Sequence, residues 1–294
     1  VLTKTEFYDP ESGNLIDKGL AVFFSKPKSF TGEDVVEFHV HGGHTTVQLL
    51  LKSLSNIDQL RLAQPGEFSK RAFVNNKMDL TAIEAMGDLI NAQTEIQHNQ
   101  ALSQMNGSLN KLYLSWRKSL IELVAYLEAD IDFADEDIPE NVLNNINSKI
   151  EKLLGEMNEH LKQRNQGEIL RDGYKVAIIG SPNVGKSSLI NSLANRDVAI
   201  VSDREGTTRD AIEVRLNIAG FPVILTDTAG LRDTEDEIEK KGIEITQRKI
   251  KEANLVLELF DDPNNVKLHQ DRLTVLNKCD LHNIYKQEGC INIS

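Results

Sequence analysis

Only two cysteines, Cys279 and Cys290, occur in 294 residues. They are too few and too late in the chain to make a disulfide framework, which excludes a cysteine-stapled secreted domain and points to a reducing compartment. No apolar run approaches the roughly 20 residues that span a bilayer, and the N-terminus carries no signal-peptide pattern, so a membrane role is not expected. Positive charge is also scarce. Lys and Arg number 33 against 45 Asp and Glu, a net charge of −12, which argues against a broad electrostatic grip on nucleic acid. DNA is not an expected partner, and any RNA contact must be local or shared with another protein. The expected location is cytoplasmic, or the mitochondrial matrix in a eukaryote. The sequence starts at Val1 without a methionine and stops at "INIS", so a fragment is expected.

What remains is an ordinary globular composition, 40% hydrophobic and 27% charged, long enough for two or three domains. Residues 1–76 mix strand-like runs, "GLAVFF" (Gly19–Phe24) and "VVEFHV" (Val35–Val40), with a helical stretch after Gly42-Gly43. They are expected to form a small α/β or α+β domain. Residues 77–170 change to helical spacing: Leu80, Ile83, Met86 and Ile90; then Leu109, Leu112, Trp116, Leu120, Leu123 and Leu127; then Ile146, Ile150, Leu153, Met157 and Leu161. Each set falls on one helical face and is read as helix–helix core. The acidic "EADIDFADEDIPE" lacks the central glycine of a Ca²⁺ loop and is read as a solvated turn between helices. "QGEILRDGYK" reads as a polar linker. From 171 to 294, the strand runs "KVAIIG", "PVILTD", "NLVLELF" and "LTVLNK" alternate with helical stretches, including "EIEKKGIEITQRKIKEA", as in a mostly parallel sheet covered on both faces.

"GSPNVGKS" (Gly180–Ser187) fits G-x-x-x-x-G-K-S between a strand and a helix, the setting in which this loop cradles phosphates. Lys186 would reach the β and γ oxygens, and the Ser187 hydroxyl would ligate Mg²⁺. "GTTRD" (Gly206–Asp210) offers a threonine, Thr208, to close over a γ-phosphate and give the metal a second hydroxyl. Asp227 of D-T-A-G, at a strand end, can hold the outer shell of Mg²⁺, and Gly230 can offer its N–H to the γ-phosphate. "NKCD" (Asn277–Asp280) also stands at a strand end. Asp280 can accept from both N1–H and the 2-amino group of guanine, whereas adenine would leave that carboxylate poorly paired. In this order the four elements favour GTP over ATP. The expected nucleotide contacts are Asn183, Val184, Gly185, Lys186, Ser187, Ser188, Thr207, Thr208, Asp227, Thr228, Ala229, Gly230, Asn277, Lys278 and Asp280. One feature does not fit a Ras-type site: after D-T-A-G, where such proteins carry a water-orienting glutamine, stands Leu231.

The stretches "SFTGEDVVEFHVHGGH", "QPGEFSKRAFVNNKMDL", "EADIDFADEDI" and "LRDGYKVAIIGSPNVGKSSLIN" resemble, in family order, the MnmE (TrmE) family, the GTPases of tRNA wobble-uridine modification. The resemblance runs along essentially the whole sequence. It implies a homodimer built from an N-terminal folate-binding domain, a helical domain and a P-loop GTPase domain inserted into the helical one. It also implies action with the flavoprotein MnmG to place a carboxymethylaminomethyl-type group at C5 of the uridine. Glu37 and Lys77 match the positions that contact 5-formyltetrahydrofolate or a related one-carbon folate; by themselves both would be read as surface charges. Asn183, Ser202, Arg204 and Thr207 match the family's K⁺ site, where a cation neutralises developing charge as an arginine finger does, and the same resemblance implies that Ser202 is a nucleotide contact. Glu239 matches the glutamate that orients water. Composition alone does not choose among the five acids Asp233, Glu235, Asp236, Glu237 and Glu239, which also read as a solvated face.

Departures from the family pattern are an absent first segment and an absent end, and a short "DDPNNVKLHQDR" between two strands, near the lower limit for a parallel crossover. A Zn²⁺ site at His39, His41 and His44 lacks a fourth ligand. A ribosome-assembly or switch-type GTPase with weak turnover is the alternative function.

Overall fold

The computed structural model describes residues 2–132, 140–195, 213–227, 247–281 and 289–294. The chain divides into two compact units, Val1–Gly87 with Ser103–Leu114, and Asp88–Leu102 with Ser115–Ser294.

In the first unit, β1 (Leu2–Tyr8), β2 (Leu15–Phe24) and β3 (Val35–His39) form an antiparallel sheet in that order. Strand β1, which has no strong signal in the sequence, pairs along its whole length with β2. A glycine is required at position 19: a Cβ there would stand 2.1 Å from the His39 carbonyl oxygen and 3.0 Å from the Phe7 ring. Phe7 is buried and meets Phe38 edge-on with ring centroids 5.4 Å apart, a favoured aromatic geometry. Helices α1 (His44–Ser55) and α2 (Glu67–Val74) follow. The loop from Ser25 to Asp34 is tied shut by the Lys26 amide donating to Asp34 Oδ1 at 2.8 Å. Asn75, just past α2, donates from Nδ2 to the Thr31 carbonyl at 2.8 Å, and Gly32 in the left-handed region (φ +80°) lies against Asn75 and Lys77. Two stretches of sequence more than forty residues apart are thereby knitted together. Glu67 accepts from Arg61, the Gln64 amide and Arg71, and these hold its carboxyl far below the usual carboxylate range.

Helix α3 (Leu80–Asn91) starts on Asp79, whose Oδ1 accepts from the Thr81 hydroxyl at 2.6 Å and the Ala82 amide at 2.9 Å. The Thr81 hydroxyl is the main reason the carboxyl lies below its ordinary value, with burial opposing. Asp79→Ala should destabilise the chain by about 1 kcal/mol at pH 7. A depressed folded-state pKa means that the cap is fully present above the ordinary carboxylate range and is lost as pH falls through the folded value. The wild-type advantage in urea unfolding should therefore shrink toward pH 3. An advantage that stays constant between the two pH values would contradict this.

The second unit holds a six-stranded sheet in the order β5-β6-β4-β7-β8-β9. Its strands are β4 (Tyr174–Gly180), β5 (Glu213–Ile218), β6 (Phe221–Asp227), β7 (Leu255–Phe260), β8 (Leu273–Leu276) and β9 (Ile291–Asn292). All pairings are parallel except β5 with β6. The sheet is thus mixed and mostly parallel, as in a G domain. Past the exposed Lys175, central β4 is an apolar run, with Val176, Ala177 and Ile178 all at most 5% exposed, as a strand flanked on both edges and both faces must be. Ile190 and the half-buried Leu189 and Leu193 of α7 (Lys186–Ala194) join this core, alongside Leu216, Leu225 and Leu259. The crossover from β7 to β8 spans 261–272 and contains only a 3₁₀ turn at Pro263–Asn265. Of the expected helix "EIEKKGIEITQRKIKEA", residues 247–252 are helical, and 237–246 lie outside the described residues.

The helical region comprises the remainder of α3, then α4 (Glu95–Met105), α5 (Ser108–Asp132) and α6 (Glu140–Asp172). Three expectations need correction. Residues 166–172 are the last two turns of α6, not a linker; the helix stops only at Gly173, in the left-handed region at φ +99°, whose amide donates to the Ile169 carbonyl. Residues 128–132 of the acidic stretch belong to α5, not to a turn, and 133–139 lie outside the described residues. The apolar stripes are only partly core. Leu123, Ile146 and Leu153 are buried in an α5–α6 seam with Trp116, Ile150 and Met157 packed around it, but Leu80, Ile90, Leu120, Leu127 and Leu161 are exposed. Two helices in contact bury one seam, and in α3 the buried positions are Ala82 and Ala85.

The segment joining α3 to α4 is fastened to the base of the sheet. Arg215 donates to Gln93 Oε1 at 3.2 Å, Gln97 Nε2 donates to the Arg171 carbonyl at 3.0 Å, and a Cβ on Gly220 would stand 2.8 Å from Ile96. A cleft of about 580 Å³ lies there, lined by Gln93, Gln97, Arg171, Arg215 and Lys249 among others. Its polar groups answer one another, as in the 2.7 Å Lys249–Glu213 pair.

Candidate nucleotide site

Strand β4 ends at Gly180, where the chain curls through Ser181–Gly185 into α7. The two motif glycines are each forced by a neighbour. A Cβ on Gly180 (φ +147°) would stand 2.6 Å from the Leu259 carbonyl, and one on Gly185 (φ +102°) would stand 2.1 Å from Asn277 Nδ2. Val184 is buried and plugs the underside of the loop. Asn183 takes a left-handed conformation, φ +59°. Lys186 is 5% exposed, and its Nζ donates to the Gly180 and Ser181 carbonyls at 2.9 and 2.7 Å. Its charge is therefore held inside the curl, at the N-terminus of α7, where helix amides and dipole favour an anion.

Two other strand ends converge on this loop. At the end of β6, buried Asp227 accepts from the Ser187 hydroxyl, Oγ to Oδ2 3.1 Å. An alcohol oxygen beside a carboxylate is an oxygen-only donor pair of the kind a hard divalent cation takes, so these residues fit Mg²⁺. Past β8, Asn277 donates from Nδ2 to the Val184 carbonyl at 2.9 Å and Lys278 from Nζ to the Asn183 carbonyl at 3.0 Å. Consecutive residues of "NKCD" thus grip consecutive carbonyls of the phosphate loop. Asp280 is exposed, two residues past that grip, in a turn closed by the Leu281 amide on the Lys278 carbonyl. Ser188 is exposed on the first turn of α7.

Several expected residues lie outside the described residues: Ser202, Arg204, Thr207 and Thr208, then Thr228, Ala229, Gly230 and Glu239. Of the expected K⁺ ligands only Asn183 is described. In the first unit, Lys77 Nζ donates to the Pro27 carbonyl at 2.9 Å, and Glu37 on β3 lies 3.4 Å from His39 Nε2. His41 is occupied by Asp17, its amide donating to Oδ2 at 2.8 Å with Nδ1 2.9 Å from Oδ1. The amide, more than the ring, lowers the Asp17 carboxyl below its usual range. Among the described residues no group of three or more His, Cys, Asp and Glu side chains could hold a metal. Sequence patterns do not single out Asp261, which contacts Lys278, or Asn75. Their partners are 17 and 44 positions away in sequence, so no local pattern marks them.

Comparison with known proteins bears on the same residues. A family model described as "MnmE helical domain" matches residues 80–286, and one described as "GTP-binding protein TrmE N-terminus" matches residues 1–77. The tRNA modification GTPase MnmE of Rickettsia typhi is 45% identical, over 98% of this chain and 68% of that protein. Its namesake from Parvibaculum lavamentivorans is 49% identical, over 98% and 67%. The chain thus spans about two thirds of the length of these relatives. Among solved structures, the G domain of the T. maritima FeoB iron transporter is 22% identical over 41% of this chain and 86% of that one, at a TM-score of 0.29; the fold assignment rests instead on the sheet topology above. With relatives this similar along nearly its whole length, the chain belongs to the MnmE (TrmE) family of tRNA modification GTPases.

Proposed function

We propose that the loop between β4 and α7 binds GTP with Mg²⁺ and that the chain hydrolyses it to GDP and phosphate in the service of tRNA modification. The observation that carries this reading is the convergence of three strand ends: Lys186 inside the phosphate loop, Asp227 on Ser187, and Asn277 with Lys278 on the Val184 and Asn183 carbonyls. A phosphate chain laid along Gly185–Ser188 meets backbone N–H groups and one buried ammonium. A base read by Asp280 would lie two residues past the same loop contacts. Bound Mg²⁺ would be held by Ser187 and Thr208, with Asp227 behind them, and would offset the charge of the β and γ oxygens.

Hydrolysis requires water to attack the γ-phosphorus as the bond to the β-phosphate oxygen breaks. Leu231 can neither orient nor deprotonate that water. We assign water positioning to Glu239, and neutralisation of developing charge to K⁺ held by Asn183, Ser202, Arg204 through its carbonyl, and Thr207, in keeping with family membership. GTP turnover should accordingly be about tenfold or more faster in KCl than in NaCl, and Asn183→Ala should abolish the difference. Equal phosphate release in the two salts would remove K⁺ from the mechanism, and an unimpaired Glu239→Ala would remove that residue.

The wider function we propose follows the family: a homodimer in the cytoplasm that binds a one-carbon folate through Glu37 and Lys77 and acts with MnmG and tRNA on the wobble uridine. Residues 1–76, 77–170 and 171–294 would be its folate-binding, helical and GTPase domains. The Lys77 bond to the Pro27 carbonyl and the Asn75 bond to the Thr31 carbonyl support the Lys77 assignment, because they hold a cationic side chain beside this turn. Scoring the wobble modification in cells lacking the native protein tests this; failure of the chain, extended to full family length, to restore it would favour a ribosome-assembly or switch-type GTPase.

A further inference from the structure

We infer that Asp261 is a positioning residue of the nucleotide site, holding Lys278 on the Asn183 carbonyl and so fixing the phosphate loop to the guanine loop. The inference rests on the reading that this site binds guanine nucleotides. Lys278 Nζ lies 3.0 Å from the Asn183 carbonyl oxygen and 3.0 Å from Asp261 Oδ2. Both residues joined by the first contact, Lys278 and Asn183, are left-handed, each at φ +59°. That conformation is disfavoured for a side chain with a Cβ and persists only where the surroundings hold it. An asparagine tolerates it; a lysine gains nothing from it. A lone contact between a flexible ammonium and one carbonyl is a weak clamp, because four rotatable bonds must be frozen to keep it. The second partner makes it firm.

Asp261 is well placed to be that partner. It follows β7 directly, and the preceding residue, Phe260, accepts the Asn277 amide through its carbonyl at 2.7 Å. The carboxylate is thus carried on the end of a core strand, beside the loop it braces. The next residue is also an acid, but it faces a separate turn. Asp262 accepts from the Asn264 amide at 2.9 Å and from Asn265 Nδ2 at 3.1 Å, capping the 3₁₀ turn. The Asp261–Lys278 pair is more than a third exposed on both sides, so it contributes little to fold stability. Its consequence is geometric. Without Asp261 the ammonium is drawn to water, the Asn183 carbonyl loses its donor, and the loop contacting the phosphates relaxes.

The test is binding of fluorescent GDP, with the ³¹P resonances of bound GDP, for the wild type, Asp261→Ala, Asp261→Glu, Lys278→Ala, the double variant and Asp262→Ala. Asp261→Ala should weaken GDP binding about tenfold and move the β-phosphate resonance, but add less than about twofold when Lys278 is already alanine. Asp261→Glu should recover part of the loss. Asp262→Ala should lower the melting temperature and leave GDP affinity within about twofold. GDP affinity of Asp261→Ala within twofold of wild type, or the same loss with and without Lys278, would overturn the inference. A wild-type chain that binds no GDP would instead strike down the nucleotide reading beneath it.

Discussion

Replacing Lys186 by alanine should lower GTP turnover by about 10³-fold, the loss seen when a preorganised charge or donor is removed from where the transition state needs it. The size follows from where the side chain is kept. At 5% exposure the ammonium is screened little by water, and its two carbonyl partners at 2.9 and 2.7 Å hold it in the curl before any phosphate arrives. Little reorganisation is then needed at the moment of reaction. Alanine also removes the donor to the Gly180 and Ser181 carbonyls, so the variant should melt earlier yet still fold. Lys186→Arg keeps the charge but forces a planar fork into a space shaped for a point charge, and should recover only part of the rate. Turnover of folded Lys186→Ala within a few-fold of wild type would show that the phosphates are bound elsewhere.

Asp280→Asn should weaken GTP binding by about 10²-fold and turn the preference toward xanthosine triphosphate. The carboxylate offers two acceptors to the N1–H and 2-amino donors of guanine, and hydrogen bonds to a charged group contribute about 1.5–3 kcal/mol each. An asparagine offers one acceptor and one N–H, and that N–H opposes the 2-amino group. Xanthine carries an oxygen at that place, which the same N–H can satisfy. Asp280 is exposed in a turn, so the substitution should leave the melting temperature unchanged. Competition between the two triphosphates for the wild type and the variant reads the effect. A variant that still prefers GTP would mean that Asp280 does not read the base.

Much of the candidate nucleotide site is legible in the sequence because its signals are local. "KVAIIG" is a buried strand by composition, and the glycines and lysine that follow have fixed spacing. The reason for Gly185 is not legible, since the atom that forbids a side chain there belongs to Asn277, far along the chain. Strand β5, "EVRLNI", escapes notice because its alternation is brief and follows a stretch without periodicity. Its pairing with β6 makes the sheet mixed. The end of α6 is disguised because Gly167 and a polar composition resemble a linker, although only Gly173 has the conformation that stops the helix. The stripe through Leu120 and Leu127 has true helical spacing, but spacing reveals a face and not what covers it; both residues are exposed while Leu123 is buried. Contacts such as Arg215–Gln93, 122 positions apart, leave no trace in any window of sequence.

The loop after β4 and the loop after β8 are stitched together through Asn277 and Lys278, and on our proposal they make one site for one nucleotide. Phosphate release from GTP and from ATP, measured side by side with Mg²⁺ and K⁺ present, puts that union to the test. Release from GTP at least about 10²-fold faster than from ATP is the predicted result. Equal rates from the two nucleotides, or release from ATP alone, would contradict it.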